Sequence, residues 1–162
     1  MFEKFHTPAE LFEYKLGSAL KMENKVLDML GKLEQEARDE QLKQQLSHHA
    51  DETRDQIGNL EQAFRALGKE PDEHACPVIE AIDKEGLLTI KRADDELADA
   101  VILAGAAETE HQEIAVYEWL ITEAAAMGHD DVAGLLRHNL EQEQHTLDEV
   151  RNATRSMAAS LA

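Results

Sequence analysis

Cysteine is nearly absent from this chain of 162 residues: Cys76 stands alone, which excludes an internal disulfide framework. A single buried thiol fits a reducing compartment. Proline is almost as scarce, with three in all, while Ala, Leu, Glu, Gln, Lys and Arg are plentiful. Those residues favour helix, and little here would break one. Positive charge is also short, 16 Lys and Arg against 34 Asp and Glu, giving a formal net charge of -18. Such a surface repels phosphate backbones and attracts cations, so nucleic acid is not an expected partner. Long apolar runs are missing as well. The longest, Ala100 to Ala107, falls far short of a membrane span, and Met1 to Phe5 holds no apolar signal core. The expectation is a cytoplasmic protein without membrane contact.

What is present is helical periodicity over one domain, residues 1–162. Thr7, Pro8 and Glu10 combine an N-cap, a proline at the first helical position and a glutamate three residues after the cap. The first long helix is therefore predicted over about 8–37, with Leu16, Leu20, Val26 or Leu27, Leu30 and Leu33 on its apolar stripe. A second, over about 40–68, carries Leu42, Leu46, Ile57, Leu60, Phe64 and Leu67 before Gly68 and Pro71 stop it. The third spans about 94–127 and ends at Gly128; the fourth runs about 130–157 with Asp130 as its cap. Between the second and third lies a long connection with Pro77, Gly86 and a short helix within 77–92. Two antiparallel helix hairpins joined by one long crossover make an all-α, ferritin-like four-helix bundle.

The informative positions are those where each apolar stripe is interrupted, because a charge inside a bundle is costly unless paired or bound to a metal. Glu23 interrupts the first helix between Leu20 and Leu27. In the second, His49 and Thr53 lie between Leu46 and Ile57, with Glu52 at the stripe's edge. Glu110, followed one turn later by Glu113, interrupts the third, and Glu143 the fourth between Leu140 and Leu147. All lie near the middles of their helices, so a bundle brings them to one height. Residues three apart project from one helix face, so a single helix can offer two ligands. Glu23, His49, Glu52, Glu110, Glu113 and Glu143 are accordingly the candidate metal ligands. Carboxylates with imidazole suit iron or manganese, and zinc is compatible with the same donors. Weaker candidates surround them. His111 is turned towards a flank, where hydrogen bonding to a ligand is its expected role. Tyr117 either bonds a ligand carboxylate or packs as a core aromatic. Thr53 lies within the interrupted stripe, and His145 lies on an adjacent face with Glu141, open to solvent.

The segments His49-Ala50-Asp51-Glu52-Thr53, Cys76-Pro77-Val78-Ile79-Glu80 and Glu110-His111-Gln112-Glu113-Ile114-Ala115, with Tyr117, resemble the YciE/YciF family of bacterial ferritin-like stress proteins. The likeness runs from about Thr7 to Arg151. It implies a ferritin-like bundle that dimerises, a di-metal centre and a link to stress responses. The chain departs from the symmetric ferritin-like pattern, in which two helices each give Glu-x-x-His. Here the second helix reverses the order as His49-x-x-Glu52, and the fourth offers Glu143-x-x-Thr146. The expectation is a histidine-poor, asymmetric centre holding two iron ions, acting on Fe(II), oxygen or peroxide in a homodimer. The alternative is a non-catalytic stress protein that works through assembly or partner binding, with metal structural or absent.

Overall fold

The computed structural model describes residues 4–161; Met1 to Glu3, read above for a leader, and Ala162 lie outside the described residues. The chain is all-helical, with α1 (Pro8–Glu36), α2 (Glu40–Ala66), α3 (Pro77–Ile90), α4 (Ala98–Ala126) and α5 (Asp130–Leu161). Each long helix packs on two others, α1 and α5 both against α2 and α4, while α3 lies over α4 and α1.

Local chemistry explains the boundaries. Thr7 Oγ1 accepts from the Glu10 amide at 3.2 Å, and Pro8 occupies the first turn. The Glu10 carboxylate reaches back to the amide of His6 at 2.6 Å rather than to Thr7, so the expected reciprocal box is shifted by one residue. Asp39 caps α2 through the Leu42 amide at 2.9 Å. From α4, the Asp99 carboxylate accepts from the amides of Arg38 and Asp39 at 2.7 and 3.0 Å, tying the first hairpin turn to the opposite helix. Gly68 and Gly128 end α2 and α4 with φ of 71° and 79°, a left-handed conformation that only glycine adopts cheaply. Asp130 proves to be the first residue of α5 rather than its cap, and with Asp131 it places negative charge in the first turn. Ahead of α4, residues 95–97 form a separate 3-10 turn, so the helix proper starts at Ala98. α5 continues to Leu161 because its tail is rich in alanine, while Thr154 and Ser160 return their hydroxyls to carbonyls within the helix.

The crossover before α3 is anchored on α1 at Gly17. The His74 amide donates to Gly17 O at 3.1 Å and Ser18 Oγ donates to Ala75 O at 3.0 Å. A Cβ on Gly17 would lie 2.4 Å from Asp72 O, so the close approach requires glycine. Glu73 accepts from Lys21 and Asn24, and the His74 ring stacks on Tyr14 with centroids 4.9 Å apart. Cys76 is free and buried. Further on, Lys25 and Asp83 pair at 2.6 Å and fasten α3 to α1.

The apolar core has two ends. Phe12, Leu16, Leu60, Phe64, Leu120 and Leu136 fill one; Val26, Leu30, Leu42, Leu46 and Leu103 fill the other. Each such side chain contributes about 1.5 to 3 kcal/mol by leaving water. Polar groups occupy the stretch of each helix that separates the two ends.

Candidate metal centre

Each helix delivers its polar residues from the same face as its buried leucines. On α2 the buried positions run Leu46, His49, Thr53, Gln56, Leu60, at helical steps of three and four. The turn of that face makes Gln56 the buried residue and leaves Ile57 at its edge. On α4 they run Leu103, Glu110, Glu113, Tyr117, Leu120, and on α5 Leu136, Asn139, Glu143, Thr146. Glu23 lies on α1 among Leu20, Met22 and Val26.

These faces bring His49, Glu110, Glu113 and Glu143 together: each offers one ligand atom, and the four atoms all lie within 4.8 Å of one another. All four residues are buried, and this group can hold a metal ion. His49 Nε2 is 3.1 Å from Glu110 Oε1, though neither ring nitrogen is aligned for a hydrogen bond. Both carboxylate oxygens of Glu113 and of Glu143, and one each of Glu23 and Glu110, are buried without a hydrogen-bond partner among the described residues. Buried carboxylate oxygens are ordinarily satisfied, so six unpartnered ones in a single layer are a place that could hold a cation. Anionic oxygens and one imidazole are the donors expected for iron, manganese or zinc.

Glu23 and Glu52 flank the four-residue group. Glu23 is fully buried, and its Oε1 accepts a short hydrogen bond from the Tyr117 hydroxyl. Asn139 in turn donates to the Tyr117 oxygen at 3.1 Å and to Gln56 O at 3.2 Å, and accepts from Asn59 at 2.7 Å. Tyr117 is thus both a packed aromatic and the link between a polar chain and a site carboxylate. Glu52 sits at the rim, half-buried, with Oε2 3.8 Å from His49 Nδ1 and accepting from Thr146 at 3.4 Å. Thr53 spends its hydroxyl on His49 O at 2.9 Å, which fixes the α2 backbone beneath the imidazole. His111 is exposed, outside the group. His145 is exposed too and faces Glu149 at 3.6 Å.

The layer's electrostatics follow from four carboxylates buried with one imidazole. Burial raises the pKa of Glu23 to about 7, a rise limited by the Tyr117 hydroxyl and by Glu113. Burial pushes Glu113 and Glu143 well above the usual carboxylate range, and the neighbouring carboxylates push them further. For His49 burial opposes the charged form, but Glu110 and Glu52 outweigh it and raise its pKa to about 10. Glu52 is lowered by His49. Burial and the nearby acids keep Tyr117 a neutral hydroxyl, able to donate to Glu23.

Gln56 and Asn139 are further buried polar residues of the layer, beyond those that the sequence pattern picks out. The signal was available: Gln56 falls between Thr53 and Leu60, and Asn139 between Leu136 and Glu143, at the same spacings of three and four. An uncharged side chain on an apolar stripe attracts less notice than a glutamate.

Comparison with known proteins follows the same outline. The family model described as "Domain of unknown function (DUF892)" matches residues 7–161. Protein YciF of Escherichia coli (strain K12) is 30% identical over 142 residues, 86% of each chain. Among solved structures, YcfI from Rhodopseudomonas palustris, provisionally named a structural protein, superposes with a TM-score of 0.90 at 34% identity, covering 93% of this chain and 98% of that one. The E. coli stress protein YciF superposes with a TM-score of 0.91 at 27% identity, covering 96% and 99%. A protein from Xanthomonas campestris pv. campestris, 18% identical with a TM-score of 0.75 over 96% of each chain, shares the fold. The chain therefore belongs to the DUF892 family, that of YciF.

Proposed function

We propose that the chain is a ferritin-like four-helix bundle carrying a two-metal carboxylate centre, with iron as the first candidate and manganese or zinc compatible with the same donors. One observation carries this reading: ligand atoms of His49, Glu110, Glu113 and Glu143 converge to within 4.8 Å in a buried layer where six carboxylate oxygens have no hydrogen-bond partner among the described residues. Glu23 and Glu52 complete a set of six donors for two ions. Iron held by His49 and the five glutamates would supply redox chemistry towards dioxygen, two Fe(II) and two protons being consumed for each hydrogen peroxide formed.

The chain's own residues prepare the layer for this. Metal binding displaces the protons that Glu113, Glu143 and His49 hold in its absence, so affinity rises with pH. Tyr117 orients Glu23, and Thr53 holds the helix turn that carries His49. Thr146, standing where a symmetric centre would have histidine, holds Glu52 at the rim instead. The apolar ends of the core keep bulk water from the layer, which strengthens every charge interaction within it.

Elemental analysis of protein expressed in metal-replete medium tests the reading. Near-stoichiometric transition metal is expected in the wild type, and Glu110→Ala is expected to lose it while keeping its helical circular dichroism. Negligible metal in the wild type would sink the proposal. A second reading draws on the provisional naming of the R. palustris neighbour as structural and on the description of E. coli YciF as a stress protein. In that reading the chain is a homodimeric stress protein acting through assembly, and the polar layer chiefly sets helix register. It predicts negligible metal in the wild type as well as in Glu110→Ala.

A further inference from the structure

A cavity of about 40 Å³ leads away from the polar layer towards one end of the molecule. At its inner end are His49 and Glu110; along its walls lie Val26, Leu30, Leu46 and Leu103. Gln45 and Glu149 border it and also line an outer pocket of about 430 Å³, which reaches Asp39, Gln41, Ser156 and Ser160. The two spaces share Leu42 and Leu103 as well, so only these side chains, with Gln45 and Glu149, stand between the inner cavity and the outer pocket. The route follows the helix axes: from His49 back to Leu42, two turns of α2 span about 10 Å.

The walls determine what can use it. A buried water needs two to four polar partners, and the middle of the passage offers few. Thr109, which lines it, spends its hydroxyl on Gly105 O at 2.9 Å, and Thr146 spends its own on Glu52. A cation crossing this stretch would give up its hydration for hydrocarbon, at a cost of many kcal/mol. The volume suits two or three heavy atoms, since about 10 to 15 Å³ of such space holds one water. We propose that this passage admits a small uncharged diatomic molecule of the dioxygen class to the His49 and Glu110 side of the layer, while metal ions reach it elsewhere. The proposal rests on the metal-centre reading for what the molecule meets, but the passage is testable without any metal.

Xenon-pressurised crystals of the full chain provide that test, because xenon binds small dry cavities. One xenon peak is expected among Leu30, Leu46 and Leu103 in the wild type, whether or not metal is present. Ala106 also lines the cavity, and Ala106→Leu fills it; this variant is expected to lose the peak, retain its metal by elemental analysis, and oxidise anaerobically loaded Fe(II) severalfold more slowly on exposure to air. Leu46→Ala widens the passage and is expected to keep the peak and speed oxidation, and it carries the test should Ala106→Leu fold poorly or lose metal. No xenon in the wild type overturns the passage and leaves the metal centre standing. Xenon in protein that takes up no metal overturns the metal reading and the delivery role together. A xenon peak with unchanged oxidation in both variants overturns the delivery role alone.

Discussion

Tyr117 shows how much a single residue holds in this layer. Its ring is fully buried, its hydroxyl donates to Glu23, and its oxygen accepts from Asn139, so one side chain connects α4 to α1 and α5. Tyr117→Phe keeps the ring and removes the hydroxyl, leaving the Glu23 carboxylate without its donor. Loss of a hydrogen bond to a buried acid costs about 1 to 3 kcal/mol. Urea unfolding of the metal-depleted variant should show a stability loss of that size with an unchanged denaturant slope, and an unaltered midpoint would mean the bond contributes nothing. Burial holds Glu23 near neutrality against the pull of Tyr117, so removing the hydroxyl should raise the Glu23 pKa above about 7, observable by carbon-detected NMR titration. At this scale the sequence was legible where a charge stood on an apolar stripe: Glu23, His49, Glu110, Glu113 and Glu143 announce themselves by cost. Gln56 and Asn139 do not, because an amide costs less to bury, and the partners of Asn139, the Tyr117 hydroxyl and the Gln56 backbone carbonyl, are set by tertiary packing alone.

The elements were legible for a similar reason. Glycines with positive φ after α2 and α4, a capped start to α1 and steps of three and four between leucines are local features, and local features can be read in order along the chain. Gly17 is the counter-example. Within α1 it looks like an ordinary helix defect, yet the backbone of residues 72–75 lies directly on it, and only the assembled fold reveals that dependence. Gly17→Ala gains helix propensity in isolation, about 1 kcal/mol. In the protein its Cβ meets the Asp72 carbonyl and the His74 ring at 2.4 and 2.5 Å, so the crossover must move off α1. The variant should therefore be destabilised despite its better propensity, with faster amide exchange at His74, and a raised melting temperature would contradict that account. Asp99 poses the same test at the other end. Asp99→Ala strips the acceptor from the amides of Arg38 and Asp39 and should cost about 1 to 2 kcal/mol, in the range of a lost helix cap. Asp99→Asn, which keeps one acceptor oxygen, should recover part of that loss.

For the whole molecule, charge decides how stability depends on pH and on metal. The chain carries a formal net charge of -18, and its buried layer adds acids where water cannot screen them. In metal-depleted protein the folded pKa of Glu23 is about 7 against an ordinary 4.5, and Glu113 and Glu143 are raised well above 4.5. A group raised on folding binds its proton more tightly in the native state, so its stabilising contribution is complete below the ordinary value and is lost as pH climbs through the folded one. His49 acts in the same direction at higher pH, its contribution fading between 6.5 and about 10. Glu52 is lowered, so its contribution is lost as pH falls through its folded pKa. The chelated protein should therefore be most stable near about pH 5 and should melt at progressively lower temperature towards pH 8 and above. Metal reverses the slope, because an ion that binds only the folded chain and competes with these protons stabilises it more as they leave. Calorimetric melting at several pH values, with chelator and with added Fe(II) under argon, measures both slopes. A chelated protein whose melting temperature rises from about pH 5 to pH 8 would show that the buried carboxylates do not hold protons in the native state. Equal slopes with and without Fe(II) would show that the ion does not reach them.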